Sequence, residues 1–277
     1  MTVPPHAEMA SRLKIGLRAA EQAGAVLMRH FGASTPNANI SPKARATLAS
    51  QEAELTARSE LHAAFRQDAI VAEHAGGIAG PQAQRWCWVI APLDGVSHFA
   101  EKQRDFCTSI GLLHFGASVL GIVVAPARRQ IFVGGLGLAA TCNGQPIAVS
   151  QVATLSQAQI ATGLADDCRA GIAAPGTWLE SVERRAYRLC RSGPAALDLC
   201  AIAVGHADAF CGTDLVTWNL VGPCAIVHAA GGRTSTFSGA SLDRFAGPTL
   251  ASNGLTHAEL IALVRGANAV RERPPSS

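Results

Sequence analysis

The residues best suited to chemistry sit where apolar runs stop. Glu73 follows Ala69-Ile70-Val71-Ala72, and Asp94 follows the longer run Trp86-Cys87-Trp88-Val89-Ile90-Ala91-Pro92-Leu93. Each carboxylate is thereby delivered at the end of a strand. Gly95, Val96 and Ser97 come next, small residues at which a helix can open, and the free N–H groups of a helix start can hold an anion.

Each of these has a plainer role to set beside the chemical one. Asp before Gly serves any tight turn, and Glu73 would serve as a strand-end surface carboxylate. His98 lies close enough to Asp94 in sequence for an acid/base role, with a structural hydrogen bond as the commoner use of such an imidazole. His74 beside Glu73 is read as incidental, because adjacent strand residues point to opposite faces. Ser97 as a nucleophile would need a base and an orienting partner, and the sequence names neither.

The elements that must position these groups follow from periodicity. Leu13, Leu17, Ala20, Gly24, Leu27, Met28 and Phe31 share one helical face, with Gly32 as the stop. Residues 33–46, rich in Ser, Pro and Asn, read as a loop, and a second helix is expected over 48–65. Strands are expected at 69–72, through the Trp86 run, at 106–113 and 119–124 as a hairpin around Gly116, at 130–133 and at 139–142, with Asn143-Gly144 as a tight turn. The pattern restarts after Ser150. This divides the chain into an N-terminal α+β part, 1–154, and a C-terminal α/β part, 155–277, packed as one unit. In the second part strands at 160–162, 188–190 and 208–211 alternate with helices at 178–187, 195–204 and from Asn219 to Gly231-Gly232. Thr256-His257-Ala258-Glu259 has the form of a capping box opening the last helix, and residues 271–277 read as a frayed tail.

Composition narrows the function class. Hydrophobic residues make up 48% and charged residues 16%, which describes a well-buried globular chain. A net charge of +3, without a run of five like charges, argues against nucleic acid. The stretch from Ile110 to Val124 is broken by His114 and by glycines and reads as two strands, so no membrane span is expected. No signal peptide is visible at the N-terminus, which points to a cytoplasmic protein. Its eight cysteines are expected to be reduced and mostly buried.

The stretch from Trp86 to Phe99 resembles the signature of the inositol monophosphatase family, Trp-x-Ile-Asp-Pro-Leu/Ile-Asp-Gly-Thr-x-Asn-Phe. Further likeness runs through Leu120 to Pro126, Cys142 to Ile147, Gly193 to Leu199, Ala207 to Phe210, Trp218-Asn219, Ala230 to Gly232 and Ala251 to Asn253, essentially the whole chain. The resemblance implies alternating layers of helices and sheets, often a homodimer, and phosphomonoester hydrolysis with two or three Mg²⁺ ions. The metal positions it implies are Glu73, Ala91, Asp94 and Asn219, with backbone oxygens such as that of Leu93. The acid that helps orient the water falls on Ser50, and the threonine of the signature falls on Val96. A glutamate that holds sugar hydroxyls falls on Gly212, with Asp214 nearby.

Ala91 therefore stands where the family's bridging carboxylate would be, and the metal site is expected to be degraded, with Mg²⁺ bound weakly or not at all. Three functions follow as expectations. The first is an impaired phosphatase scaffold that binds a phosphorylated small molecule around Gly95, Val96 and Ser97, or a protein partner. The second is a weak Mg²⁺-dependent inositol- or sugar-phosphate phosphatase. The third is an altered enzyme that has recruited His98 or Asp214.

Overall fold

A computed structural model describes residues 6–32, 40–75, 84–163, 177–190, 193–213, 215–242 and 245–271. In chain order its elements are α1 (His6–Gly32), α2 (Pro42–Ala64), β1 (Ala69–Ala72), β2 (Trp86–Asp94), α3 (Val96–Ala100), β3 (Cys107–His114), β4 (Ala117–Ala125), β5 (Gln130–Gly135), β6 (Leu138–Cys142) and β7 (Gln145–Pro146). There follow β8 (Gln159–Gly163), α4 (Thr177–Arg185), β9 (Arg188–Cys190), α5 (Ala195–Ala203), β10 (Ala209–Gly212), α6 (Thr217–Ala229), β11 (Arg233–Thr236), β12 (Thr249–Ser252) and α7 (His257–Arg271).

The first sheet runs in sequence order from β1 to β7, and the second in the order β11-β12-β10-β8-β9. In the first sheet only β1 and β2 run parallel. The two-residue period of the strands builds the layers. Trp88 and Ile90 of β2 face Leu27 of α1 and Leu61 of α2. Cys87 and Val89 face the opposite way, into a core shared with Leu199 of α5 and Val227 of α6. Phe210 of β10 joins that same core, while Cys211 beside it faces Trp178 of α4 and Leu260 of α7. The result is five alternating layers, helix pair, sheet, helix pair, sheet, helix pair, as the resemblance implies.

A close approach fixes α6 on the first sheet. A Cβ added at Gly121 of β4 would lie 1.8 Å from the Gly222 carbonyl oxygen, so only glycine lets the helix backbone sit there. That seating places the start of α6, and Asn219 with it, beside the end of β2.

The structure corrects the sequence expectations at several points. Helix α2 begins six residues before Leu48, because Ser41 caps it by accepting the Ala44 N–H at 3.1 Å and Pro42 occupies its first position. The capping box at Thr256 does not form. Thr256 Oγ1 donates instead to Asn253 Oδ1 at 3.1 Å, and Glu259 accepts the Leu155 N–H at 3.1 Å. β11 and β12, too short and too rich in Ser and Thr to stand out in the sequence, complete the second sheet. The expected tail beyond Arg271 lies outside the described residues.

Candidate active site

A cavity of about 390 Å³ opens where the end of β1, the β2–α3 corner and the starts of α5 and α6 come together. It gathers Glu73, Leu93, Asp94, Gly95, Val96, Ser97 and Asn219 into one wall, together with His98, Gly193, Pro194, Val216 and Trp218. Residues about 20, 120 and 145 positions apart in sequence thus meet at one place.

Asp94 ends β2 and turns its carboxylate onto α5, where Oδ2 accepts the Ala196 N–H at 2.8 Å. A carboxylate at a helix start satisfies orphan donors and complements the helix dipole. Burial nevertheless pushes the Asp94 carboxyl up to about 6, while the N–H groups of Ala196 and Gly95 and the nearby His98 pull it the other way. Glu73 is also raised. Burial is the main cause, His74 opposes it, and the carboxylates of Asp94 and Glu54 add to it.

Helix α2 holds the turn that carries Glu73. Glu54 is 3% exposed, and its carboxylate accepts two successive N–H groups, from His74 at 2.7 Å and Ala75 at 2.8 Å. Buried Ser50 places its Oγ 2.7 Å from His74 Nε2. His74 is therefore not incidental. β1 ends at Ala72, residues 73–75 form a turn, and strand alternation no longer governs where the ring points. The signal for Glu54 was present in the sequence, a charged residue in the stripe Ser50, Ala53, Glu54, Ala57, Leu61 that α2 buries.

His98 is held on two sides. Its Nδ1 lies 3.0 Å from the Asp105 carbonyl oxygen, which can only accept, so Nδ1 carries the proton. Gly193, at φ 117°, lies against the ring, and a Cβ there would fall 1.9 Å from His98 Cε1.

Other residues singled out in the sequence fall elsewhere. Ala91 is 1% exposed, opposite Ser109 of β3, and does not line the cavity. Gly212 is buried at the end of β10 and also stands apart from the cavity. A Cβ at Gly212 would meet the Phe210 ring at 2.8 Å, so the position has no room for a longer side chain unless that ring moves. Asp214 lies outside the described residues. Among the described residues no three His, Cys, Asp or Glu side chains cluster as metal ligands.

The model of the inositol monophosphatase family matches residues 8–269. This chain belongs to that family. An inositol-1-monophosphatase of Synechocystis is 32% identical over 90% of this chain and 86% of its own length. A Nus factor SuhB of Xylella fastidiosa is 31% identical over 84% of each chain. The solved inositol monophosphatase of Anabaena superimposes with a TM-score of 0.84 at 30% identity, covering 94% of this chain and 97% of that one. The family comprises small-molecule phosphatases that are in general Mg²⁺-dependent. No described helix is long and apolar enough to cross a membrane.

Proposed function

We propose that this inositol monophosphatase family member binds a phosphorylated small molecule in the cavity beside Asp94 and hydrolyses it slowly or not at all. The observation that carries the reading is how little of a magnesium site the cavity holds. Glu73 and Asp94 are its only carboxylates among the described residues, and one oxygen of Asp94 is engaged by the Ala196 N–H. Asn219 adds at most a neutral oxygen, and Ala91, which the resemblance aligns with the bridging carboxylate, lies buried outside the cavity and offers no ligand. Dehydrating Mg²⁺ is costly, and this donor set does not fit two or three such ions.

Helix starts support a residual affinity for anions. The α6 start at Val216 has no side-chain cap, and neither has α3 at Gly95. Each such terminus favours an anion by about 0.3–1 kcal/mol in an exposed setting. α3 is a single turn of five residues, so its contribution belongs at the low end. Glu73 and Asp94 repel a phosphate, and the net affinity for phosphate itself is expected in the millimolar range.

The test is a ligand-observed NMR titration with phosphate and an inositol phosphate, with EDTA present, beside a phosphate-release assay with Mg²⁺. Binding that survives EDTA, with negligible release, supports the proposal. Binding lost with EDTA, or multiple-turnover release, favours instead a weak Mg²⁺-dependent phosphatase. That second reading has its own support, because Glu73, Asp94 and Asn219 do share one cavity. A protein-partner role draws support from the Nus factor relatives and becomes the best survivor if no ligand binds. A cytoplasmic homodimer completes the proposal, its dimeric state to be read by light scattering.

A further inference from the structure

We infer that the cavity grips its ligand chiefly by hydroxyl groups, so that a free polyol binds within threefold of its phosphate monoester. The inference rests on the small-molecule reading above and adds to it which part of the ligand carries the affinity.

The side chains in the wall are mostly hydrogen-bond acceptors. Glu73 and Asp94 accept only, when ionised, and Asn219 and Ser97 can do both. His98 adds another acceptor. With Nδ1–H committed to the Asp105 carbonyl, that tautomer has its lone pair at Nε2, which has no partner among the described residues. Gly193 packed against the ring keeps it in that orientation.

Donors of positive charge are what the wall lacks. No Lys or Arg lines the cavity among the described residues. A phosphate dianion brings acceptors and negative charge to a wall that already has both. A hydroxyl brings a donor, and several on one small ring or chain can reach several acceptors together. The Asp94 carboxylate also occupies the start of α5, which removes that helix start from use by a ligand anion and leaves the start of α6 as the longer one still open.

The experiment measures the full-length protein by calorimetry or saturation-transfer NMR, in EDTA, with four probes: myo-inositol, D-glucitol and the monophosphate of each. The expected result is that at least one free polyol has a dissociation constant no more than threefold above that of its monophosphate. His98→Asn keeps an N–H for the Asp105 carbonyl and removes the Nε2 lone pair. It is expected to weaken that polyol at least fivefold with an unchanged melting temperature. Monophosphates that bind more than threefold tighter than both polyols overturn the inference and leave the phosphorylated-ligand reading standing. No binding by any probe overturns both. An affinity unchanged in a folded His98→Asn protein overturns the part assigned to the imidazole. Should that variant not fold, Asn219→Leu is measured in the same way, and an unchanged affinity there counts equally against the inference.

Discussion

Replacing Asp94 by asparagine isolates the cost of keeping a charge at the end of β2. The carboxyl moves from 3.8 to about 6 on folding, burial being the main cause, and that change corresponds to about 3 kcal/mol between its two protonation states. A raised carboxyl favours the folded state below its unfolded value, and that contribution is lost as pH rises through its folded value. Relative to the parent, Asp94→Asn should therefore gain stability between pH 4 and about 6.5 and hold the gain above that. Asp94 is only partly buried against the cavity, and asparagine keeps one acceptor for Ala196 N–H but turns an amide toward the other donor. The expected gain at pH 8 is accordingly about 1–3 kcal/mol. Urea unfolding of both proteins from pH 4 to pH 8 in EDTA measures it. A stability difference that does not change with pH, or a variant less stable than the parent at pH 8, would refute the reasoning.

Three further outcomes are expected. Isothermal titration with Mg²⁺ alone should show weak binding without a stoichiometric endpoint; tight, stoichiometric uptake would contradict the proposed loss of metal ligands. Ala91→Asp combined with Asn219→Asp should raise Mg²⁺ affinity before it raises turnover, since the water-orienting groups that the family resemblance assigns to positions 50 and 96 stay absent, and a folded double variant with the parent's affinity counts against this. Glu54→Ala should cost about 2–4 kcal/mol by leaving two N–H groups without their acceptor, with amide exchange accelerated first at His74 and Ala75; uniform acceleration across α2 would point to a helix effect instead.

How much of this was legible in the sequence depends on the distance over which each cause acts. The strands and most helices were legible, because periodicity and turn residues act within a few positions. Asn143 and Gly144, both at positive φ, form the tight turn that their types imply. The start of α2 was written in the sequence too, as Ser41-Pro42, but the surrounding Ser, Pro and Asn concealed it. β11 and β12 were not legible. Four-residue strands with two or three Ser or Thr are held by their pairing with each other and with β10, which no local signal announces.

The site divides along the same line. That Glu73, Asp94 and Asn219 belong to one place followed from the family frame, and the cavity does contain all three. The state of each carboxylate did not follow, because it depends on partners far away in sequence. Asp94 bonds to an N–H 102 residues on, and the Glu73 turn hangs from a glutamate about twenty residues back. Both arrangements use negative charge to satisfy backbone N–H groups. Such a carboxylate is positioned without a cation, since the donors that hold it belong to the protein itself. Loss of the bridging acid at Ala91 would therefore leave the shape of the cavity largely intact: what holds its walls is α2 on one side and α5 on the other. A scaffold whose site keeps its form without metal can shed metal ligands one at a time and still bind. That ordering makes the double substitution at Ala91 and Asn219 informative, because affinity for Mg²⁺ should return to a pocket that was already in place.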